Sequence, residues 1–178
     1  HVGILALGVG LGGAGVFGAL WHALNHSLTK AMLFLVAGNL LTVYRTKSVR
    51  DVRGALQAMP VSAVLWLAGF FAITGTPPFG PFFSKFTVLK AALDQDRSGV
   101  AVLYLGLLGV IFAGMASVFL TMACGKPSLP SGQPPVREGR WTLLSPLALG
   151  ALVLGLGLYL PPPLTALLHR AAAALGGS

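Results

Sequence analysis

The chain has 178 residues, of which 55% are hydrophobic and only 9% are charged, whereas ordinary soluble domains carry about 25% charged residues. This balance excludes a soluble globular domain and indicates a membrane protein, because each membrane-spanning helix needs roughly 20 apolar residues. The net charge is +8, but the basic residues are scattered among connectors without an aromatic-interleaved patch, which argues against nucleic-acid binding. The sequence predicts an all-α, polytopic transmembrane helical bundle with one discontinuous helix.

The first apolar segment, residues 2–44, is too long for a single crossing. As one helix it would measure about 64 Å, roughly twice the thickness of the hydrocarbon core. The glycine-rich run at residues 10–15 is the natural interruption, since clustered glycines weaken a helix interior. We therefore expect a short first helix before this run and a full span at about residues 14–43.

The next apolar segment, residues 61–93, is interrupted by glycines and prolines. These helix-breaking residues are Gly75, Pro77, Pro78, Gly80 and Pro81. Each proline removes an amide donor and leaves a carbonyl one turn earlier without a partner. Lipid cannot satisfy such carbonyls, so we expect protein or a water-filled cavity to cover the break.

Two more spans are predicted, at residues 99–124 and 141–160, with a polar, proline-containing loop between them. A run of prolines at 161–163 ends the last span. Residues 1–160 then form one transmembrane domain, and residues 161–178 form a C-terminal tail with a short interfacial helix.

Basic residues in the connectors predict the orientation, because Lys and Arg accumulate on the cytoplasmic side. Loops 45–60 and 125–140 contain most of them and are expected in the cytoplasm. Their basic residues are Arg45, Lys47, Arg50, Arg53, Lys126, Arg137 and Arg140. The connector at residues 94–98 carries Asp94 and Asp96 and is expected outside with the C-terminus. We thus expect a multi-pass protein of the plasma (inner) membrane.

Three ionisable side chains lie well inside the span at residues 14–43. His22, His26 and Lys30 recur every four residues, which predicts that they line one face of a helix. From Lys30 to Tyr44 the helix measures about 21 Å, too far for the lysine stem to carry its ammonium group to the membrane surface. We expect Lys30 either to face a hydrated or polar interior or to be uncharged.

The two histidines allow more than one interpretation. Imidazoles titrate near neutral pH, so a histidine pair beside a lysine can bind and release protons inside a membrane. Two neutral imidazoles that only bridge neighbouring helices are the alternative. A zinc site is not expected, because a third ligand is missing. Every carboxylate lies in a predicted loop, and the single cysteine, Cys124, lies near the end of a span.

Lys85 follows the helix break by one turn. The unwound chain before it supplies carbonyl acceptors and room for water, and discontinuous helices of this kind mark ion and substrate sites in transporters. A lysine that extends to the membrane surface is the alternative, since Leu93 lies only about 12 Å further along the helix. Lys90 is close enough to the surface to be an ordinary interfacial lysine.

The sequence contains no phosphate-binding loop, no nucleophile with a base, and no haem or iron–sulfur ligand set, so neither an active site nor a cofactor is expected.

Two segments resemble one family of membrane proteins. Residues 22–34 (HALNHSLTKAMLF), followed by Gly38-Asn39, resemble the helix that carries the central lysine in the second half of antiporter-like proteins, and residues 74–85 (TGTPPFGPFFSK) resemble the discontinuous helix that follows it. This family includes proton-translocating membrane subunits of respiratory complex I, the large subunits of Mrp sodium/proton antiporters and related subunits of membrane-bound hydrogenases. Residues 1–4 and 18–26 look most like the hydrogenase-4 component F branch.

The resemblance implies that Lys30 is the central relay lysine, that His22 and His26 are its partners along a hydrated axis, and that Lys85 is the terminal group of the half-channel. Some family members carry a glutamate at the last position, so the branch stays open. The resemblance also implies that the chain is a C-terminal part of a longer protein. Redox chemistry and cofactors would belong to its partners, namely other membrane subunits and a peripheral redox arm.

Two alternatives to a redox-driven proton pump remain at this point. One is a structural subunit that has kept the fold but does not conduct. The other is a sodium/proton antiporter or a solute transporter that binds its cargo at the helix break.

Overall fold

The computed structural model describes residues 1–126 and 137–176, and all regular secondary structure in these residues is helical. The helices are α1 (Val2–Leu11), α2 (Gly13–Tyr44), α3 (Ala55–Ala58), α4 (Pro60–Thr74), α5 (Gly80–Asp94), α6 (Ser98–Cys124), α7 (Arg140–Leu158) and α8 (Pro162–Ala174). Three of them, α2, α6 and α7, are long and apolar enough to cross a membrane, and α1 and α4 are shorter apolar helices. The predicted all-α membrane bundle is confirmed.

Helix α2 is the centre of the bundle. It has 32 residues and packs against α1, α4, α5, α7 and α8. Its buried side chains repeat at helical spacing, with Met32, Val36 and Leu40 each no more than 2% exposed. The functional side chains on α2 are therefore held by packing on several sides.

Both predicted interruptions are present. Gly12 separates α1 from α2 with φ 70°, and residues 75–79 separate α4 from α5. Gly75 ends α4 with φ 85°, in the left-handed region that glycine adopts without a steric cost. Pro81 lies in the first turn of α5, where its missing amide hydrogen has no helical partner to lose.

The last residues of the two predicted basic loops lie side by side at one end of the bundle. Both oxygens of the Glu138 carboxylate accept backbone hydrogen bonds at the start of α4, from Val61 N at 2.8 Å and Ser62 N at 2.9 Å. These amides are among the four that a helix N-terminus leaves without a partner. The loop after α2 contains the short helix α3, which was not predicted, and residues 127–136 of the second loop lie outside the described residues.

The connector after α5 lies beside the α1–α2 interruption. The side chain of Gln95 donates a hydrogen bond from Nε2 to the carbonyl of Leu11 at 2.7 Å. Helix α8 packs against α2, where the ring of His169 stacks on Phe17 at 4.4 Å between centroids. A helix in the tail was expected, and α8 confirms it, whereas its position at the membrane interface stays a prediction.

Helix α7 closes over the break between α4 and α5. A β-carbon on Gly157 would collide with the backbone at Pro78 and Gly80. Only glycine therefore lets α7 approach the break this closely. The expectation that protein covers the break is confirmed on this side.

We predict that Gly157→Ala destabilises the protein by about 1–3 kcal/mol, the usual cost of forcing an extra methyl group into a packed site. Gly155→Ala is the matched control, because it lies in the same helix and a β-carbon there would have nothing within 4 Å. The control should be neutral or stabilising by up to about 1 kcal/mol, since alanine favours a helix. Unfolding of both variants in detergent micelles measures the difference, and equal losses would contradict the close approach of α7.

Candidate functional site at the helix break

Lys85 is the only lysine that is buried among the described residues, at 6% exposure. Its Nζ donates hydrogen bonds to the carbonyls of Ile73 at 3.0 Å and Thr74 at 2.8 Å. These carbonyls belong to the last turn of α4, whose helical ladder stops at the break. The ammonium group thus lies at a helix C-terminus, where the helix dipole favours positive charge. The alternative of a lysine that extends to the membrane surface is wrong.

Gly75 makes room for the Lys85 side chain. A β-carbon at this position would lie 2.9 Å from Cδ and 3.0 Å from Nζ of Lys85. Gly75 also needs its positive φ to end α4. One glycine therefore both ends the helix and lets the ammonium reach the freed carbonyls.

A hydrogen-bonded chain joins α5 to α2 next to Lys85. The Ser84 hydroxyl donates to the carbonyl of Pro81 at 3.1 Å, so its oxygen accepts from Nδ1 of His22 at 3.0 Å. A serine has one hydrogen to donate, which assigns the His22 proton to Nδ1 and leaves Nε2 as an acceptor. Nδ1 of His1 lies 3.1 Å from that acceptor and donates to it.

Three imidazole rings meet at this point. His26 stacks on His1 with 4.1 Å between centroids and lies 5.8 Å from the ring of His22. One ring nitrogen from each of the three lies within 4.8 Å of the others. The premise that no third ligand is available beside His22 and His26 is wrong, because α1 turns back at Gly12 and packs against α2.

Lys30 lies outside this group. Its side chain is exposed, and its Nζ lies 4.6 Å from the centre of the Phe34 ring. Each residue advances about 100° around a helix, so a side chain eight positions after His22 is rotated by about 80°. The fully buried polar residues of α2 are instead His22, Asn25 and Thr29, which follow the true helical period. In this chain, Lys30 does not face the interior that was expected for it.

Several buried polar atoms of α2 near the break have no hydrogen-bond partner in the protein. They are Trp21 Nε1, Asn25 Oδ1 and His26 Nδ1. The Asn25 amide nitrogen donates to the Trp21 carbonyl at 3.0 Å, which directs Oδ1 towards Gly80 at the start of α5. Unpaired buried polar atoms are costly, and internal water commonly satisfies them.

A cavity of about 300 Å³ opens beside the site between α1, α6 and the break. Most of its lining is apolar, and its polar members include His1, Thr74, Lys85 and the hydroxyl-bearing Tyr104. The cavity touches both the start of the imidazole chain and the buried lysine. It leaves open space beside both the His1 ring and the Lys85 side chain.

The structure therefore brings together His22, His26, Lys85 and the predicted break. Sequence reasoning missed His1, Ser84 and Gly157, which contribute the third imidazole, the link between helices and the cover over the break. Ser84 had a detectable local pattern, because a serine three residues after Pro81 can reach the carbonyl of that proline. His1 had none, since its role depends on how α1 packs.

Comparisons with known proteins agree with this architecture. Residues 1–118 match the family described as NADH:quinone oxidoreductase/Mrp antiporter, TM. The hydrogenase-4 component F homolog of Methylacidiphilum infernorum is 32% identical over 163 residues, which cover 91% of this chain and 33% of that protein. NADH-quinone oxidoreductase subunit L of Mycobacterium tuberculosis is 34% identical over 122 residues, covering 68% of this chain and 19% of that protein. The chain thus spans a third or less of the length of these relatives.

The fold is also similar to a solved structure. A chain in the structure of the Mrp complex from Dietzia sp. DQ12-45-1b matches with a TM-score of 0.81 and 24% sequence identity, and the match covers 98% of this chain and 40% of that chain. At this identity the match supports the fold alone. The predicted antiporter-like helical architecture is confirmed.

We predict that Gly75→Ala destabilises the protein by about 2–4 kcal/mol, because it combines an unfavourable positive φ with a clash against the Lys85 stem. Gly176→Ala is the control, since Gly176 also has a positive φ of 80° but a β-carbon there would have nothing within 4 Å. The control should lose no more than about 1–2 kcal/mol. Unfolding midpoints in detergent compare the two, and a loss at Gly75 no larger than at Gly176 would refute the role assigned to the Lys85 contact.

Proposed function

The chain belongs to the NADH:quinone oxidoreductase/Mrp antiporter transmembrane family, and we propose that it forms part of a subunit that moves protons through a membrane. The route runs through internal water, the imidazoles of His22 and His26, and the amines of Lys30 and Lys85. The observation that carries the proposal is the buried Lys85 ammonium on two freed carbonyls, directly after the serine that binds His22.

The imidazole chain has a defined direction for proton movement. His22 accepts a proton at Nε2 from the His1 side and releases its Nδ1 proton towards Ser84. Ser84 takes this proton and gives its own hydroxyl hydrogen, turned away from the Pro81 carbonyl, to a water that protonates a neutral Lys85. Rotation of the His22 ring and of the Ser84 hydroxyl then restores the starting arrangement. Each step moves one proton between hydrogen-bonded groups or through internal water, so no charged residue has to cross lipid.

Lys85 is the last group of the proposed relay, because free carbonyls at the helix break stabilise its ammonium group. When the amine is protonated, the carbonyls of Ile73 and Thr74 accept from it. An approaching positive charge favours release of the proton, and the carbonyls then need water or a shifted backbone. Proton release and a local rearrangement at the break are thereby coupled.

Lys30 keeps its proposed relay role through contacts outside this chain. A lysine this far inside a span is costly in lipid, and its side chain is exposed on the surface of α2. We propose that this face of α2 meets another part of the full subunit or its complex. The contact would supply the polar interior that the chain itself does not provide.

The proposed setting is a multi-subunit complex in the plasma membrane. The similar proteins include component F of hydrogenase-4, subunit 3 of formate hydrogenlyase and subunit L of NADH-quinone oxidoreductase. By analogy we place redox cofactors in a peripheral arm formed by partner subunits and none in this chain. Loops 45–60 and 125–140 face the cytoplasm, and residues 94–98 and the C-terminus face outward. The Glu138 contact with α4, which holds both basic loops at one end, supports this orientation.

We predict that Lys85→Gln lowers proton transport at least about tenfold in vesicles that contain the full-length protein in its complex, which corresponds to about 1.4 kcal/mol in activation free energy. Lys90→Gln is the matched control. It lies on the same helix but is exposed and pairs with Asp94, so transport should stay close to that of the wild type. A pH-sensitive dye in the vesicle lumen reports transport, and the redox activity of the complex is measured separately.

The same assay separates the remaining functions. Unchanged transport in Lys85→Gln and Lys30→Gln, with the complex fully assembled, would refute the relay and favour a purely structural role. Sodium/proton exchange is the second candidate, because an Na(+)/H(+) antiporter protein of Alkalihalophilus pseudofirmus is 31% identical over 157 residues. Sodium-dependent proton movement by the full-length protein without redox partners would favour that candidate.

A further inference from the structure

We propose that His1, His22 and His26 form a binding site for a divalent transition-metal ion of the Zn²⁺ type, and that the bound ion blocks the imidazole chain. The ion is a regulator of the site rather than a resident cofactor. The binding part stands on the geometry of the three rings alone, whereas the blocking part rests on the proposed relay function.

The ring nitrogens are close to the spacing that a tetrahedral ion requires. With metal–nitrogen distances of about 2.0–2.1 Å, neighbouring ligand nitrogens are about 3.3 Å apart. Nδ1 of His1 and Nε2 of His22 are already 3.1 Å apart, and all three ligand atoms lie within 4.8 Å of one another. The ion takes the place of the hydrogen between them, and the His1 proton moves to Nε2 of the same ring, which stays neutral. The rings are stacked in this structure, with interplanar angles of 12–23°, so binding requires them to turn until their lone pairs point at one ion.

Ser84 prepares His22 to be a ligand. Because Ser84 accepts the Nδ1 hydrogen of His22, the lone pair of Nε2 stays free and points at Nδ1 of His1. Metal-binding histidines usually have their second nitrogen held in this way, and loss of such a partner typically weakens binding about 10–100-fold. The helix break therefore orients a metal ligand on α2.

The donor set selects the class of ion. Imidazoles suit Zn²⁺, Cu²⁺ and Ni²⁺, whereas Mg²⁺ and Ca²⁺ prefer oxygen ligands. Three histidines leave the fourth position open, as in zinc sites that bind an exogenous ligand. Hydroxide or chloride in that position lowers the net charge of the site to +1. His1 also lines the cavity beside the break, so protein does not enclose the rings on that side.

A bound metal ion prevents proton transfer through His22. The ion uses the Nε2 lone pair of His22, which is the atom that accepts the incoming proton in the proposed relay. It also crosslinks α1 to α2 through the ligands on each. An ion at this position therefore interrupts the chain at its first step.

The binding test uses Co²⁺ as a coloured substitute, added to the purified full-length protein. We expect one Co²⁺ per chain with the visible absorption of a tetrahedral complex, displaced by Zn²⁺. His1→Gln and His22→Gln should each lose the absorption. His169→Gln is the control, because this fourth histidine lies apart from the cluster and stacks on Phe17, and it should bind as the wild type does. No Co²⁺ absorption in the wild type, or absorption that survives His1→Gln, would overturn the site.

Two further measurements keep the outcome decisive if a histidine variant fails to fold. Ser84→Ala leaves all three rings in place, and we expect its Co²⁺ affinity to fall about 10–100-fold. Unchanged affinity would overturn the assigned role of His22.

Zn²⁺ at the concentration that displaces Co²⁺ should also abolish proton transport by the wild type. Transport that persists with the site occupied would overturn the block, whereas Co²⁺ binding in a protein that moves no protons would refute the proposed function and leave the site intact.

Discussion

The hydrogen bonds from the Lys85 ammonium to the carbonyls of Ile73 and Thr74 tie a buried positive charge to an interrupted helix. Inside a membrane, the buried ammonium group needs hydrogen-bond acceptors, and the free carbonyls of the interrupted helix need donors. Each is therefore costly without the other. Gly75 supplies the space in which they meet. The position of Lys85 also fixes that of Ser84, the preceding residue, and through it the orientation of His22.

The breaks could be predicted because glycine and proline act locally. Gly12 and the residues at 75–79 interrupt helices where the sequence indicated, and the lysine after the second break reaches the carbonyls that the prolines free. The same local signals predicted where the helices on either side of these breaks end and begin. Short-range chemistry was therefore sufficient to predict the helix break and the lysine that follows it.

Contacts between distant segments were harder to predict. A spacing of four residues suggested one face for His22, His26 and Lys30, but the helical period of 3.6 residues selects Asn25 and Thr29 for the interior and turns Lys30 outward. His1 and Gly157 contribute only because α1 and α7 pack against the middle of the chain. No local pattern encodes such packing, and in this chain Lys30 lies exposed on the surface of α2.

The Glu138 carboxylate has a consequence for how the protein is made. It binds the first amides of α4 across 77 residues of sequence, so a ribosome that adds about 5–20 residues per second exposes the start of α4 for roughly 4–15 s before its cap exists. During that interval the nascent helix can remain at the headgroup level, where water serves its amides. The cap on α4 is thus completed only after α5 and α6 have been synthesised.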